Sequence, residues 1–252
     1  MTLERWRDKV ALVTGASAGI GAAVALELAR CGFRVALTAR RSSRLDALAA
    51  RIRQGGGDAL AIPADLRSED DIHRLFTSVS DAWGGVDVMV NNAGLGRVAP
   101  LMNGPTEAWR EMLELNILAL AICTREAVSQ MKRRGGEGQI IHISSMSGHR
   151  VPTGTGGMYS ATKFAVRALT EALRRELKSD QSAIRVAAIS PGFVETEFAA
   201  VMLGDAEAAA AVYERFPCLQ PEDIARCVTH ILAQPPHMEI HDVLLRPTAQ
   251  PT

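Results

Sequence analysis

The stretch Val10-Ala-Leu-Val-Thr-Gly-Ala-Ser-Ala-Gly-Ile-Gly21 decides the fold, because an apolar run enters a turn with three glycines and a helical pattern follows. Glycine lets the main chain turn sharply and pass close to a ligand, and the start of a helix presents unpaired N–H groups that suit a pyrophosphate. Tight turns also use glycine, but a glycine triplet between a first strand and a first helix predicts a dinucleotide site. Its expected lining residues are Gly15, Ser17, Gly19, Ile20 and Gly21.

Short apolar runs and longer helical segments continue to alternate along the rest of the chain. After the strand at 10–13, six more strands are predicted at 35–38, 59–62, 86–90, 139–143, 184–189 and 242–245. Runs that are apolar throughout indicate a sheet buried on both faces, and strict strand–helix alternation indicates parallel, doubly wound strands. Because no internal repeat or linker interrupts the pattern, residues 1–252 are predicted to form a single α/β domain with a Rossmann fold.

The composition limits the classes of partner. Basic and acidic residues both number 28, so the net charge is zero and no long-range field favours nucleic acid or an anionic membrane. The chain has no signal-peptide core and no run of about 18 apolar residues, and its four cysteines are scattered. A cytoplasmic protein with reduced thiols is therefore expected. No histidine spacing typical of a metal site occurs, so no metal is expected.

An alanine-rich amphipathic stretch follows the strand predicted at 184–189. Ligands of doubly wound sheets bind beyond the carboxyl ends of the strands. Residues 193–217 are therefore predicted to form a small helical lid over a substrate, and a plain pair of surface helices is the alternative.

The end of the second predicted strand, Thr38-Ala-Arg-Arg41, bears on which dinucleotide binds. NAD-specific sites place an acidic residue here for the ribose 2′-hydroxyl, and this chain has two arginines instead. A 2′-phosphate carries roughly two negative charges, which Arg40 and Arg41 are able to bind through charge-assisted hydrogen bonds. NADP(H) is the predicted cofactor; a solvated start to the following helix, shared with Arg44, is the alternative.

Tyr159 and Lys163 are four residues apart, which places them on one face of a helix. The unperturbed pKa of a phenol is about 10, so tyrosine is a poor acid or base at neutral pH. A nearby ammonium group stabilises the phenolate and lowers that pKa, which suits the phenol for proton transfer. Such a pair also arises by chance, but the chain contains only two tyrosines.

A strand pattern that ends in Ile143-Ser-Ser-Met-Ser-Gly148 precedes this pair. A serine hydroxyl in that turn is able to hydrogen-bond a substrate oxygen and polarise a carbonyl beside the tyrosine. Ser144, Ser145 and Ser147 all qualify, and spacing alone does not choose among them.

These features follow one another in a recognisable order. The T-G-x3-G-x-G turn, Asn91-Asn-Ala-Gly94, the serine turn, Y-x3-K and Pro191-Gly192 together resemble the short-chain dehydrogenase/reductase superfamily. The resemblance implies a catalytic set made of Asn116, Ser145, Tyr159 and Lys163. In that set the second serine of the I-S-S pattern is preferred to Ser147, and Asn116 holds a water that links the lysine to solvent. Taken alone, Asn116 would be interpreted as a surface or self-capping residue.

The resemblance also implies contacts with the cofactor. Asp65 and Leu66 would contact the adenine, although Asp65 by itself would equally serve as a helix cap. The ribose and nicotinamide would be lined by Asn92, Ala93, Gly94, Tyr159, Lys163, Pro191, Gly192, Val194 and Thr196.

The activity implied is NADP(H)-dependent interconversion of a carbonyl and an alcohol. Segments such as Gly192-Phe-Val-Glu-Thr-Glu197 resemble a branch of the superfamily that reduces ketosteroids and other bulky carbonyls or oxidises isoprenoid alcohols such as farnesol. The glycine-rich stretch 151–158 departs from that branch, so substrate preference stays open. The tail Arg246-Pro-Thr248 resembles the 3-hydroxy acid (serine) dehydrogenases, which are the alternative; a non-catalytic dinucleotide sensor is another. The superfamily implies a homo-oligomer, either a tetramer or a dimer.

Overall fold

Seven parallel strands run through the part of the chain that the computed structural model describes, residues 3–152 and 156–251. In chain order they are β1 (Val10–Thr14), β2 (Arg34–Ala39), β3 (Asp58–Pro63), β4 (Val88–Asn91), β5 (Glu137–Ile143), β6 (Ala183–Pro191) and β7 (Asp242–Leu245). They lie side by side in the order β3-β2-β1-β4-β5-β6-β7, so the chain crosses over between β3 and β4. The doubly wound parallel sheet is confirmed, and the strand ends differ from the predicted ones by no more than two residues.

Helices connect the strands on both faces of the sheet. In chain order they are α1 (Gly19–Arg30), α2 (Ser42–Gln54), α3 (Glu69–Trp83), α4 (Thr106–Leu113), α5 (Leu120–Arg133), α6 (Gly157–Ser179), α7 (Phe198–Leu203), α8 (Ala206–Tyr213) and α9 (Pro221–Leu232). A π-helical segment, Glu114–Ala119, joins α4 to α5. Within the described residues, no helix combines the length and the apolar character needed to cross a bilayer.

The central strands β1 and β4 are almost entirely apolar and fully buried because helices cover both faces of the sheet there. Along β1, Ala11 and Val13 pack in the cluster that contains the inner faces of α1, α2 and α9, whereas Val10 and Leu12 pack against α3 and α5. All four side chains are fully buried. Burial of one such valine or leucine stabilises the fold by about 1.5–3 kcal/mol, so the first strand contributes to two cores at once.

All strands are parallel, so their carboxyl ends meet at one edge of the sheet. The order reverses between β1 and β4, and the turns that leave these two strands therefore diverge and open a crevice. The turns after β5 and β6, which carry the predicted serines and Pro191-Gly192, end at the same edge. The fold thus brings the predicted site residues to one side of the molecule.

Candidate active site

The turn formed by residues 14–21, here called the glycine turn, is tied to the end of β4 by partly buried hydrogen bonds. The Thr14 hydroxyl oxygen accepts from the main-chain N–H groups of Asn92 and Ala93, each at 3.0 Å. The Asn92 side-chain amide donates back to the Thr14 carbonyl oxygen at 2.9 Å. The predicted residues Asn92 and Ala93 therefore form one wall of the crevice. Thr14, which was not among the predicted site residues, accepts the hydrogen bonds from both of their main-chain N–H groups.

The glycines of this turn leave room for a ligand but none for side chains. A Cβ placed on Gly21 would lie 2.4 Å from the Gly15 carbonyl oxygen, and one on Gly15, whose φ is +66°, would lie 2.9 Å from Asn92 Nδ2. Ala18 precedes α1 without a side-chain cap, so the first N–H groups of the helix face the crevice without a side-chain acceptor. This cradle fits a pyrophosphate, as the sequence predicted.

The basic residues after β2 differ in their contacts. Arg41 donates from Nη2 to the Ser17 hydroxyl of the glycine turn at 2.8 Å and pairs with Glu197 at 2.8 Å. Arg44 pairs with the other carboxylate oxygen of Glu197 at 2.6 Å. Arg40 is exposed and makes no hydrogen bond or ion pair to any residue in the described ranges. Arg41 is thus held at the glycine turn, and Arg44, which the sequence had assigned only to the helix start, joins it.

Asp65 and Leu66 follow β3 at the same edge. Asp65 is ion-paired to Arg67 at 2.6 Å, and this hydrogen-bonded pair lowers the pKa of the Asp65 carboxyl, with a smaller contribution from the charge of Arg40. The residue that caps α3 is Ser68, so the alternative role of Asp65 as the helix cap is wrong. Leu66 is buried.

Ser145, Tyr159 and Lys163 come together where β5 ends and α6 begins. Ser145 starts a short 3-10 turn, Met146–Gly148, and its side chain lies next to that of Tyr159. Lys163, one turn further along α6, is only 6% exposed, and its ammonium donates to the Ile143 carbonyl oxygen at 2.9 Å. The Lys163 nitrogen lies 5.7 Å from the centre of the Tyr159 ring.

Burial shifts the pKa values of this pair in opposite directions. It raises the pKa of the Tyr159 phenol to about 12, and the neighbouring Ser145 side chain acts in the opposite direction. It lowers the pKa of the Lys163 ammonium to about 8. The expected lowering of the tyrosine pKa by the lysine is therefore wrong for this structure, because the ammonium is bonded to Ile143 and desolvation dominates.

The other two serines of the turn have different contacts. The Ser144 hydroxyl is buried and donates to the Lys163 carbonyl oxygen at 3.4 Å. Ser147 donates its main-chain N–H to the Ser145 hydroxyl oxygen at 3.1 Å. Of the three candidates, Ser145 is therefore the one whose hydroxyl contacts the phenol.

Asn116 lies in the π-helical segment and is only 1% exposed. Its Oδ1 accepts from the Leu95 N–H at 2.9 Å, and its Nδ2 donates to the Leu95 carbonyl oxygen at 2.8 Å and to the Thr162 hydroxyl at 3.1 Å. A Cβ on Gly94 would lie 3.2 Å from this Oδ1 and 3.7 Å from the Lys163 nitrogen, so the two side chains are neighbours. The interpretation of Asn116 as a surface residue is wrong; it fixes the main chain beside the lysine.

The turn after β6 carries the remaining predicted residues. Thr196 reaches the glycine turn, since a Cβ on Gly19 would lie 3.0 Å from its Cγ2. Val194 is buried and pairs with Leu219 as an isolated β-bridge. Pro191 ends β6, and Gly192 lies against the C-terminal tail, where a Cβ would approach Gln250 Oε1 to 2.2 Å. Sequence reasoning missed Gln250, which also accepts from the Phe193 N–H at 3.1 Å.

The predicted lid, residues 193–217, contains α7 and α8, which contact each other. The ring of Phe198, the first residue of α7, lies 5.4 Å from the ring of Tyr159. A Cβ on Gly96 would lie 3.0 Å from Phe198 Cζ and 3.1 Å from Met202 Sδ, so α7 also covers the loop after β4. These contacts place the start of α7 beside Tyr159, and α8 packs on α7.

Apolar side chains surround Tyr159 on its other sides. A small cluster of buried and partly buried residues packs there: Leu95, Ala99, Trp109, Met112, Leu115 and Met158. Two exposed apolar residues, Leu101 and Met102, lie in the loop between β4 and α4, and Met102 is 97% exposed. Of the glycine-rich stretch 151–158, residues 153–155 lie outside the described residues, and the open question of substrate preference rests partly on them.

Two other features do not belong to this site. A cavity of about 790 Å³ opens at the opposite, amino edge of the sheet beside Asp87, Glu137 and Arg185. The four cysteines are free, and burial raises the pKa of each thiol, to about 12 for Cys123. None is therefore poised as a thiolate nucleophile.

Comparison with known proteins places this geometry in context. A family model described as short chain dehydrogenase matches residues 9–206. Dehydrogenase/reductase SDR family member 11 of Bos taurus is 50% identical over 99% of this chain and 100% of its own length. The farnesol dehydrogenase of Aedes aegypti is 39% identical, covering 98% of this chain and 99% of its own. Among solved structures, the closed form of serine dehydrogenase complexed with NADP+ matches with a TM-score of 0.90 at 33% identity over 96% of each chain.

Proposed function

Because the chain belongs to the short-chain dehydrogenase family and is therefore an oxidoreductase, we propose that it uses NADP(H) to interconvert a carbonyl and an alcohol. The observation that carries the proposal is the grouping of Ser145, Tyr159 and Lys163 beside the crevice of the glycine turn. A sensor that had lost catalysis would not need a buried lysine one helical turn from a tyrosine, since burying an ammonium group is costly.

The crevice supports the choice of cofactor. The glycine turn would hold the pyrophosphate, with Gly15, Gly19 and Gly21 allowing its close approach and Ser17 and Ile20 beside it. Arg40 and Arg41 would bind a 2′-phosphate, for which Arg41 is already anchored to Ser17. The remaining contacts proposed for adenine, ribose and nicotinamide are those of Asp65, Leu66, Asn92, Ala93, Gly94, Pro191, Gly192, Val194 and Thr196. The solved structure of serine dehydrogenase, which carries NADP+, supports this choice.

The catalytic groups act on the carbonyl oxygen. Tyr159 donates its phenolic proton to that oxygen, and its raised pKa keeps it protonated at neutral pH. The Ser145 hydroxyl, next to the phenol, donates a hydrogen bond to the same carbonyl oxygen and polarises the carbonyl. Lys163 holds positive charge beside the tyrosine and binds ribose hydroxyls, and Asn116 is proposed to connect the lysine to solvent. NADPH, when bound, supplies the hydride.

The substrate class we propose is bulky and lipophilic, such as 3- or 17-ketosteroids and related ketones. The apolar cluster around Tyr159 would bury such a molecule. A small 3-hydroxy acid needs a cation for its carboxylate, but Arg97, which reaches α7, is already paired with Glu111 at 2.9 Å. Oxidation of an isoprenoid alcohol uses the same lining in the reverse direction, in keeping with the name of the Aedes aegypti relative.

The direct test is a screen of NADPH oxidation over ketosteroids, aromatic ketones, α-diketones and 3-oxo acids. We expect turnover with the lipophilic ketones, and a reaction confined to 3-oxo acids would replace the proposed substrate class by the alternative. Repeating the best reaction with NADH tests the arginines, and a preference for NADH would contradict the cofactor assignment.

Variants test the catalytic groups. Tyr159→Phe is expected to lower kcat by about a thousandfold and Ser145→Ala by about a hundredfold, with the dissociation constant for NADPH unchanged within about threefold. Ser147→Ala is the matched control, because the structure shows only the main-chain N–H of Ser147 at the site. An active Tyr159→Phe enzyme would remove the proposed proton donor.

We also propose that the enzyme is a homo-oligomer. Large apolar side chains are exposed on neighbouring elements, namely Leu113 in α4, Leu118 in the π-helical segment, where it is 55% exposed, and Phe164 in α6. Light scattering after size exclusion should give a dimer or tetramer of the 27.0 kDa chain, and Leu118→Glu should reduce its mass. A wild-type monomer would contradict the proposal.

A further inference from the structure

Glu197 belongs to the predicted lid and contacts the proposed cofactor site. It is the residue before α7, and its carboxylate bridges Arg41 at 2.8 Å and Arg44 at 2.6 Å. We infer that Glu197 occupies the anion site which the 2′-phosphate takes, so that it sets the preference between NADP(H) and NAD(H) and couples phosphate binding to the lid. The inference rests on the proposed function, because it assumes that Arg41 binds the phosphate.

The position of Arg41 supports this assignment. The same guanidinium that pairs with Glu197 through Nη1 donates to the Ser17 hydroxyl through both Nε and Nη2, at 3.1 and 2.8 Å. The carboxylate is therefore drawn from the lid to the edge of the glycine turn, across 156 residues of sequence. The Glu197 carboxylate therefore already occupies the position to which the bound cofactor would bring its 2′-phosphate.

The charges indicate which anion wins. Two guanidinium groups share one carboxylate, so one positive charge stays uncompensated in the cluster of Arg41, Arg44 and Glu197. All three side chains are about half exposed, Glu197 at 47%, and ion pairs of this kind contribute little to stability. A phosphate with roughly two negative charges and three acceptor oxygens makes stronger bonds to arginine. The phosphate displaces the carboxylate, at the cost of two weak ion pairs.

Displacement has a consequence for the lid because Glu197 is flanked by residues that touch the site. Thr196 on one side contacts the glycine turn, and Phe198 on the other lies 5.4 Å from the ring of Tyr159. A dinucleotide with a 2′-phosphate frees Glu197 and with it the first turn of α7. A dinucleotide without the 2′-phosphate leaves the Glu197 carboxylate paired with the arginines. Only the phosphorylated cofactor therefore interacts differently with the two states of the lid and shifts the equilibrium between them.

The first test measures cofactor affinity. The dissociation constants of NADPH and NADH are measured by fluorescence titration for the wild type, Glu197→Gln and Glu195→Gln. Glu195 is the matched control, because its carboxylate contacts Gln220 instead of an arginine. Glu197→Gln should tighten NADPH roughly fivefold, the size expected for removing two half-exposed ion pairs, and change NADH less than about twofold. Weaker or unchanged NADPH binding in Glu197→Gln would overturn the inference.

The second test reads the lid without turnover. Hydrogen exchange of α7 is followed with 2′,5′-ADP, which carries the phosphate and no nicotinamide, and with 5′-ADP. In the wild type 2′,5′-ADP should accelerate exchange in α7 and 5′-ADP should not, whereas Glu197→Gln should exchange fast without either.

The two proposals fail in different ways. If α7 responds to 2′,5′-ADP but no carbonyl is reduced, the coupling stands and the proposed function fails. If the enzyme reduces carbonyls with NADPH and α7 does not respond, the coupling is wrong. Absence of any binding of 2′,5′-ADP also overturns it.

Discussion

The glycine turn and the lid meet through Arg41, which contacts Ser17 and Glu197, and they are held in place by different kinds of interaction. The turn is fixed by side-chain to main-chain hydrogen bonds around Thr14 and Asn92, with no space for an additional carbon atom at Gly21. The lid is held by scattered contacts, among them the aromatic contact of Phe198, the half-exposed ion pairs of Glu197 and the hydrogen bond from Arg97 to the Val201 carbonyl oxygen. The glycine turn, on which the proposed chemistry depends, therefore has no room for a larger side chain. The lid, which would select the ligand, changes its conformation at little cost in the free energy of unfolding.

The sharpest contrast comes from one glycine in each region. Gly21→Ala should destabilise the fold by about 2–3 kcal/mol and weaken NADPH binding at least roughly a hundredfold, since its Cβ would overlap the Gly15 carbonyl oxygen. Gly204→Ala, between α7 and α8, should cost no more than about 1 kcal/mol, because it brings only the strain of a positive φ into open space. Thermal unfolding measures the stability of each variant, and NADPH titration measures its affinity for the cofactor. Equal effects of the two substitutions would contradict the difference between the glycine turn and the lid.

Asn116 extends the rigid region to the lysine, so its removal should have the next largest effect. Asn116→Ala leaves the buried N–H and carbonyl of Leu95 without their partner, which should destabilise the protein by about 2 kcal/mol. The value of kcat should fall by about tenfold or more as the main chain beside Lys163 loosens. Asn103→Ala, an exposed asparagine, is the control for urea unfolding and steady-state kinetics. A stable but inactive Asn116→Ala enzyme would assign the residue to proton transfer alone.

The pH dependence of carbonyl reduction tests the protonation states of Lys163 and Tyr159. The pKa of Lys163 is lowered to about 8, so the lysine is charged below that pH and neutral above it. Tyr159, with a pKa of about 12, stays protonated across the same range. We expect kcat/KM for reduction to be flat below pH 7 and to fall about tenfold per pH unit above 8. NADPH affinity measured at each pH separates catalysis from binding, and a flat profile to pH 10 would show that the charge of Lys163 is not required.

The smallest effect on stability is expected in the lid. Phe198→Ala should change the free energy of unfolding by less than about 1 kcal/mol, because the ring is only partly buried. By uncovering Tyr159 it should lower KM for large ketones relative to small ones by roughly threefold, with kcat within about twofold. Phe193→Ala is the matched control, since its ring packs on Phe216 instead of the tyrosine. Loss of kcat in Phe198→Ala would assign the ring to the reaction itself.

The sequence predicted those features of the fold and the site that are encoded by a local pattern of residues. Seven strands, the glycine turn and the i, i+4 relation of Tyr159 and Lys163 all follow from periodicity and spacing, because each is encoded within about 20 residues. The bonds from Asn116 to Leu95, the carboxylate of Glu197 on Arg41 and the burial that raises the tyrosine pKa were out of reach. Each depends on residues distant in the chain or on desolvation, which no short motif records.

The contact between Gly192 and Gln250 has a practical consequence. Through Gln250, which accepts a hydrogen bond from Phe193, the C-terminal tail supports the loop that leads into the lid. A purification tag or a surface linker attached behind this tail would pull on that loop and blur substrate selectivity while leaving the sheet intact.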